Sequence, residues 1–340
     1  MLTWISLSIL ALVSIATYFA MSTLPDGIDV FNSTIKTDDR NAYKNALAEH
    51  ADWNHWSFEV VDGFFKQLLP ETDETTFDYF KENFGRIKLW DQTFKELDQL
   101  NEEADDDTVY KLFFLGRHGQ GFHNLANLKY GEKEWNRHWL RVCGDGEITW
   151  APDPELTDLG ISQAKDNLNQ IAIEKKDGMR LPSKYYLSPF RRSVDTLIGT
   201  WEEHVNIKEV APLIKEDFRE TIGIHICDKR SPRSVIEKKY SGRGFQIEDG
   251  FEEEDIYFKN DYREKVWEQA LRMNRLFNYI FDNTDRKKDL FVSITSHSGS
   301  IRTQLMVLGH RAFAIGTGGM IPVLVKAKKL DEKGLTKIIM

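Results

Sequence analysis

Short apolar runs alternate with amphipathic stretches along most of the chain, and this pattern predicts a mixed α/β fold. Four runs have the length and composition of buried strands. They are Val109 to Leu115, Lys184 to Leu187, Leu290 to Thr295 and Ile321 to Lys326. Helical segments separate the runs, which is typical of a mainly parallel sheet covered by helices. We therefore expect a three-layer α/β/α sandwich around a mainly parallel central sheet.

One of the separating segments has a clear helical periodicity. Its apolar positions are Val266, Ala270, Met273, Phe277 and Ile280. These positions fall on one face of a helix that is expected to begin near Asp261. Such a stripe is more often a buried face than a binding face, so we expect it to pack against the sheet.

The region before the first predicted strand has a different character. Residues 23–107 contain aromatic-rich stretches such as Trp53 to Phe58, and we expect them to form an extension packed as a layer on a main domain of residues 108–340. The acidic run Asn101 to Asp107 is expected to be a solvated connector rather than a metal site, because contiguous like charges repel each other. We therefore place the boundary between the extension and the main domain at the end of this run.

The overall charge limits the class of partner. With 41% hydrophobic and 29% charged residues in 340, the chain has the composition of a globular protein. Its formal net charge of -9 argues against a nucleic-acid partner, since a general nucleic-acid binder carries a basic face. A positive field for an anionic substrate must therefore be local.

The start of the chain predicts entry into the secretory pathway. Leu2 to Met21 contains no charged residue and is long enough to cross a bilayer. Residues 1–22 are read as a signal peptide or as a membrane anchor, although the flank before the run lacks Lys and Arg; a buried N-terminal helix is the third alternative. Asn32-Ser33-Thr34 would then be a glycosylation site. The product is expected to be secreted or membrane-anchored, and Cys143 and Cys227 could either pair or remain free.

Two histidines follow predicted strands, His118 after Arg117 and His297 after Ser296. In sheets of this class, ligands bind beyond the carboxyl ends of the strands. A neutral imidazole is a good nucleophile near neutral pH, and arginines neutralise the charge of a transferring phosphoryl group. A further strand end, Ser188 to Ser193, supplies Arg192. The pattern therefore indicates a phosphoryl-transfer site, in which Asn124 could either cap the following helix or contact phosphate.

Four segments in order resemble the histidine phosphatase superfamily, in the branch that contains phosphoglycerate mutases and with a likeness to fungal phosphomutases. The segments are Leu115 to Asn124, Leu156 to Ala164, Ser188 to Ser193 and Ser296 to Arg302. The resemblance covers about Val109 to Val325. It implies that His118 becomes a phosphohistidine, that Arg117, Arg192 and His297 form the phosphate pocket, and that Gln120, Gly121 and Asn124 bind substrate.

The resemblance also implies a carboxylic acid that protonates the leaving group, because an alkoxide leaves poorly. Glu220 matches the family's acid-bearing segment, but Gly223 follows it more closely than in the mutases. Glu216, Asp217 and Asp228 therefore stay open as rivals. Ser298 argues against the acid-phosphatase and phytase branch, which places an Asp directly after the second histidine.

Two further loops carry weaker signals. The segment Gly316 to Gly319 is similar to a glycine-rich phosphate-binding loop. It lacks the Lys that follows in a nucleotide-binding loop, so it is better interpreted as a turn. The basic cluster Asp228 to Arg233 is usually a solvated loop; the alternative is that Arg230 contacts a second anionic group of the substrate.

The expected activity is hydrolysis of a phosphomonoester of a small metabolite through a phosphohistidine. No residue spacing indicates a metal site, and no cofactor is expected. A phosphomutase is the enzymatic alternative, and a non-catalytic relative that binds a phosphorylated ligand is the alternative from another class.

Overall fold

A computed structural model describes residues 34–50 and 52–330. The strands are β1 (Trp56–Val60), β2 (Thr108–Arg117), β3 (Lys184–Leu187), β4 (Leu213–Ile214), β5 (Gln246–Ile247), β6 (Phe291–Ser296) and β7 (Met320–Lys329). The α-helices are α1 (Thr37–Ala48), α2 (Trp90–Glu103), α3 (Phe122–Arg137), α4 (Asp158–Lys176), α5 (Arg191–Trp201), α6 (Ile207–Val210), α7 (Arg233–Tyr240), α8 (Val266–Asp282) and α9 (Ser298–Val307).

All seven strands form one sheet in the order β1-β7-β2-β6-β3-β4-β5. Strands β2, β6, β3, β4 and β5 run parallel to one another. Only β7 is antiparallel to the strands on both of its sides. The expected mainly parallel sheet is confirmed.

Helices cover both faces of the sheet. Successive side chains of a strand point to opposite faces, and the apolar run of β2 shows this directly. Phe113 and Leu115 pack in a core with residues of α1, α8 and α9. Leu112 and Phe114 pack in a second core with residues of α2, α4 and α5. The three-layer α/β/α sandwich is therefore confirmed, and the apolar stripe of α8 is buried as expected.

Helix α8 begins later than the periodicity predicts. It starts at Val266 rather than near Asp261, because the residues before it are held in extended form. The backbone N–H of Glu264 donates to the Ile222 carbonyl at 2.9 Å. The Arg263 side chain donates to the carbonyls of Thr221 and Gly223. These contacts tie the segment to the loop after β4 and prevent an earlier helical turn.

The N-terminal extension joins the sheet directly. Strand β1 pairs with β7 from Trp56 opposite Lys329 to Val60 opposite Val325. The end of α2 is also docked, since the Asn101 side chain bonds the backbone N–H and carbonyl of Tyr110. The predicted connector, Asn101 to Asp107, thus begins inside α2, and its last three residues, Asp105 to Asp107, are exposed.

The predicted signal or anchor, Leu2 to Met21, and most of the glycosylation sequon lie outside the described residues. Within residues 34–50 and 52–330, no helix is long and apolar enough to cross a membrane. Cys143 and Cys227 are separate free thiols, the first exposed and the second buried.

Candidate active site

The sheet brings the two predicted histidines together. Arg117 ends β2 opposite Ser296, which ends β6, so His118 and His297 follow adjacent parallel strands. Their ring centroids lie 5.0 Å apart. A cavity opens at this edge and is lined by Arg117, His118 and residues of the segments that follow β2, β4 and β6.

His118 is held as a neutral imidazole with a defined tautomer. Its Nδ1 lies 2.7 Å from the Gly119 carbonyl oxygen. Because a carbonyl can only accept a hydrogen bond, Nδ1 carries the proton and the lone pair is on Nε2. Burial and the charges of Arg192 and Arg117 hold the pKa of His118 well below its ordinary value. The ring is thus uncharged at neutral pH and has the chemistry that a nucleophile requires.

His297 is fully buried beside His118. Its Nε2 lies 2.7 Å from the hydroxyl of Ser188, the residue after β3. Burial and the charge of Arg192 hold its pKa well below the ordinary value. The other ring nitrogen, Nδ1, is buried without a hydrogen-bond partner among the described residues. His297 is not among the residues that line the cavity, so it lies beside His118 rather than at the cavity surface.

Two guanidinium groups lie next to these rings. Arg117 donates to the Ile315 carbonyl at 2.7 Å. Its backbone N–H donates to the Gly319 carbonyl, so the segment Gly316 to Gly319 is the turn into β7 and positions the Arg117 backbone. Arg192, in the first turn of α5, is fully buried and donates to the Cys227 carbonyl and to Asp228 Oδ1, both at 3.1 Å. Together they make the histidine end of the cavity strongly cationic.

Glu220 lines the cavity. Its Oε1 accepts from the Thr221 N–H at 2.7 Å and its Oε2 accepts from the Gly299 N–H at 3.1 Å. Burial raises its pKa, but these N–H groups and the charge of Arg263 outweigh burial and leave the pKa below its ordinary value. Glu220 is therefore a carboxylate while the cavity is free of substrate.

Two of the three alternative candidates for the acid, Glu216 and Asp217, are paired with arginines and do not line the cavity. Glu216 is fixed between Arg219 and Arg230 at 2.8 and 2.7 Å. Asp217 pairs with the exposed Arg275 at 2.6 Å. Only Asp228 shares the cavity with Glu220.

The predicted binding residues after His118 differ in whether they line the cavity. Asn124 lines the cavity, and its Oδ1 accepts from the Gly121 N–H at 2.9 Å, which caps α3. Its amide nitrogen has no protein partner among the described residues, so the capping and ligand-binding interpretations are compatible. Gln120 and Gly121 lie outside the cavity lining. The side chain of Gln120 accepts from Thr157 at 2.8 Å, and a side chain at Gly121 would approach His123 Nδ1 to 2.8 Å.

The structure does not bring Arg230 to the cavity. Its guanidinium is completely buried and donates to Glu216 and to backbone carbonyls of residues 231 and 252–254. These contacts occupy the hydrogen-bond donors of the Arg230 side chain and hold the surrounding loop in place. The position of Arg230 therefore does not fit the prediction that it contacts the substrate.

Sequence reasoning missed Arg263 and His225, which both line the cavity. Burial and the nearby charge of Arg263 lower the pKa of His225 to about 4. Neither residue belongs to a strand-end motif, because both lie in long loops after β4. The only signal in the sequence was that these loops are rich in charged residues.

Within the part of the chain that the structure describes, one residue cluster has ligand atoms close enough for a metal ion. The ligand atoms of His225, Cys227 and Asp228 lie within 4.8 Å of one another. However, Asp228 is already paired with Arg192 and Arg263, both at 3.1 Å. Burial holds the pKa of Cys227 well above its ordinary value, so the thiol stays protonated. Two guanidinium groups and a protonated thiol fit an anion and do not fit a cation.

The relatives that comparison with known proteins finds are named as phosphoglycerate mutases or phosphatases. No protein-family model matches the chain. A protein of Arthroderma benhamiae named "Probable phosphoglycerate mutase" is 40% identical over 288 residues, which cover 79% of this chain and 84% of the relative. A protein of Saccharomyces cerevisiae with the same description is 32% identical over 295 residues, covering 79% of this chain and 96% of the relative. The solved structure of a mycobacterial glucosyl-3-phosphoglycerate phosphatase is 17% identical, covers 62% of this chain and 92% of that one, and gives a TM-score of 0.37.

Proposed function

Because the chain belongs to the phosphoglycerate mutase-like family of the histidine phosphatase superfamily, we propose that it is a phosphatase that hydrolyses small phosphomonoesters through a phosphohistidine at His118. It is an enzyme of this superfamily, and the proposal concerns the reaction. The observation that carries it is the His118 ring, whose Nδ1–H is fixed on the Gly119 carbonyl so that Nε2 is left as the nucleophile.

The first half of the reaction transfers the phosphoryl group to the enzyme. The cationic end of the cavity, with Arg117 and Arg192, balances the charge of the phosphoryl oxygens. Nε2 of His118 forms a bond to phosphorus while the ester P–O bond breaks. The leaving oxygen takes a proton from Glu220, which must first be protonated. An anionic phosphate beside Glu220 raises its pKa, because it disfavours a second negative charge nearby.

The second half restores the enzyme. Glu220, now a carboxylate, takes a proton from a water molecule, whose oxygen attacks phosphorus. The P–N bond to His118 breaks, inorganic phosphate leaves, and Glu220 is protonated again. One carboxyl group therefore serves as acid and then as base.

A phosphomutase is the second candidate, and the names of the two fungal relatives favour it. A mutase must retain a doubly phosphorylated intermediate and return the phosphoryl group to it, which needs additional cationic contacts. Of the basic cluster, Arg230 is buried in a loop and Arg233 donates to Glu237 and the Phe251 carbonyl. Neither is in the cavity lining, so these two residues of the basic cluster do not supply the additional contacts.

The test measures both reactions on the same protein. Release of inorganic phosphate from phosphoglycerates is compared with interconversion of 2- and 3-phosphoglycerate in the presence of a bisphosphoglycerate primer. We expect hydrolysis to be faster, with an acid-labile, alkali-stable phosphoenzyme trapped from labelled substrate. Faster isomerisation would favour the mutase. Binding of phosphorylated ligands without either reaction would indicate a non-catalytic relative.

A further inference from the structure

We propose that His123 is a further catalytic residue, whose Nε2–H donates a hydrogen bond to a non-bridging oxygen of the phosphoryl group that His118 receives. This inference rests on the proposed function and adds a residue to the same site. His123 does not end a strand; it lies in the first turn of α3.

His123 lies beside the proposed nucleophile and at the cavity surface. Its ring centroid is 5.3 Å from that of His118, and the two ring planes are tilted by 47°. His297 lies at a similar distance from His118, but His123 lines the cavity and His297 does not. A phosphoryl group bound to His118 would therefore occupy a cavity whose wall includes the His123 ring.

The ring nitrogens of His123 have no protein partner among the described residues. Nδ1 is buried and makes no hydrogen bond, and no described residue bonds Nε2. Nδ1 faces Gly121, where an added methyl group would approach it to 2.8 Å. Gly121, which the sequence suggested as a binding residue, thus leaves room for the ring. Because only Nδ1 is enclosed, Nε2 is the nitrogen that can meet a ligand in the cavity.

The ring has one proton to donate. Burial holds the pKa of His123 well below its ordinary value, and the nearby charges of Arg192, His118 and Arg117 act in the same direction. A neutral imidazole has one N–H and one lone pair. A proton on Nδ1 would be a buried donor without an acceptor, which is costly. On Nε2 the same proton can be donated to a phosphoryl oxygen.

This contact would act in both halves of the reaction. The non-bridging oxygens carry the charge of the transferring group whether it leaves the ester or leaves His118. The effect of His123 should therefore be the same for every leaving group. Glu220 differs, because its proton goes to the leaving oxygen.

Two other roles of His123 make different predictions. A ring that only packs against His118 could be replaced by the ring of phenylalanine without loss. A ring that protonates the leaving oxygen would matter more for alkyl esters than for aryl esters.

The experiment compares His123→Phe, which keeps a ring and removes the N–H, with His123→Gln, which keeps an N–H donor and removes the ring. The matched control is His50→Phe. His50 stacks on Trp53 at the same centroid distance of 5.3 Å, and neither residue lines the cavity. Phosphate release is measured for an alkyl and an aryl ester. The affinity for orthovanadate, an analogue of the transferring phosphoryl group, is measured without substrate.

We expect kcat/KM of His123→Phe to fall roughly tenfold to hundredfold for both esters alike, as for loss of a hydrogen bond to a charged group. Its affinity for orthovanadate should fall by a similar factor. His123→Gln should recover part of both losses, because it retains a donor. His50→Phe should match the wild type.

Wild-type rates and orthovanadate affinity in His123→Phe would overturn the inference and leave His123 a packing role. Losses confined to alkyl esters would overturn it in favour of proton transfer to the leaving oxygen. A loss in His123→Gln as large as that in His123→Phe would also overturn it, since the donor would then not matter. A wild type that binds orthovanadate but releases phosphate from no ester would instead contradict the proposed function, and the orthovanadate affinities would still test the contact of His123.

Discussion

The two ends of the cavity are built in different ways. At the phosphate end, Arg117, His118 and His297 are strand-terminal residues whose positions follow from the register of β2 and β6. At the leaving-group end, Glu220 and Arg263 lie in loops between β4 and α8 and are positioned by hydrogen bonds between side chains and distant backbone groups. The sheet register therefore fixes the proposed phosphate end, whereas the proposed leaving-group end depends on contacts between loops.

The strongest test of the phosphate end is His118→Ala. Without the imidazole no phosphoenzyme can form, and we expect phosphate release to fall by about 10⁴-fold or more. The measurement is phosphate release together with trapping of labelled enzyme. Turnover at the wild-type rate would show that the nucleophile is another residue.

Glu220→Gln tests the leaving-group end. The amide cannot donate an acidic proton, so alkyl esters should lose about 10²-fold to 10⁴-fold in rate. Aryl esters should lose much less, because an aryl oxide leaves without full protonation. The control is Asp228→Asn, which changes the other carboxylate of the cavity. A leaving-group dependence seen only in that variant would assign the acid to Asp228.

Gly299→Ala tests how the two ends are joined. A methyl group at Gly299 would lie 2.3 Å from Glu220 Oε1 and 2.8 Å from the Thr221 hydroxyl. These atoms are side-chain ends that can move, so the fold should tolerate the change while Glu220 is displaced. We expect roughly tenfold to hundredfold slower release from alkyl esters. Unchanged rates with a stable fold would mean that the position of Glu220 is not critical.

The smallest effect concerns stability and a buried neutral imidazole that lies outside both ends of the cavity. His310, which follows α9, is buried outside the catalytic cavity, and burial lowers its pKa to about 4. The unfolded chain binds this proton near pH 6.5 and the folded chain only near pH 4, so stability is lost as pH falls between these values. His310→Gln should reduce the loss of unfolding free energy between pH 7 and pH 5 by about 2 kcal/mol.

Urea unfolding of the wild type and of His310→Gln at pH 7 and pH 5 measures this effect. The loss of the hydrogen bond from His310 to the Arg311 carbonyl lowers stability at both pH values and cancels in the difference. An equal pH dependence in the two proteins would contradict the assignment.

The same contrast explains what the sequence could reveal. The sandwich and the strand-end residues were predictable, because apolar runs mark parallel strands and ligands gather at their carboxyl ends. Arg230 and Arg263 could not be told apart, since both are arginines in charged loops. Their positions depend on which carbonyl groups each guanidinium meets, and those contacts arise only when distant segments pack. The late start of α8 has the same cause.

The position of β7 has a consequence for how the chain is made. This strand is among the last parts of the described chain to be synthesised, yet it separates β1 from β2 and pairs with both. Until it emerges from the ribosome, β2 has an open edge that could pair with another chain. The Arg117 backbone also lacks its partner at Gly319 until then. Until β7 has been made, the nascent protein therefore lacks the fully paired sheet that positions Arg117 and is exposed to misassociation.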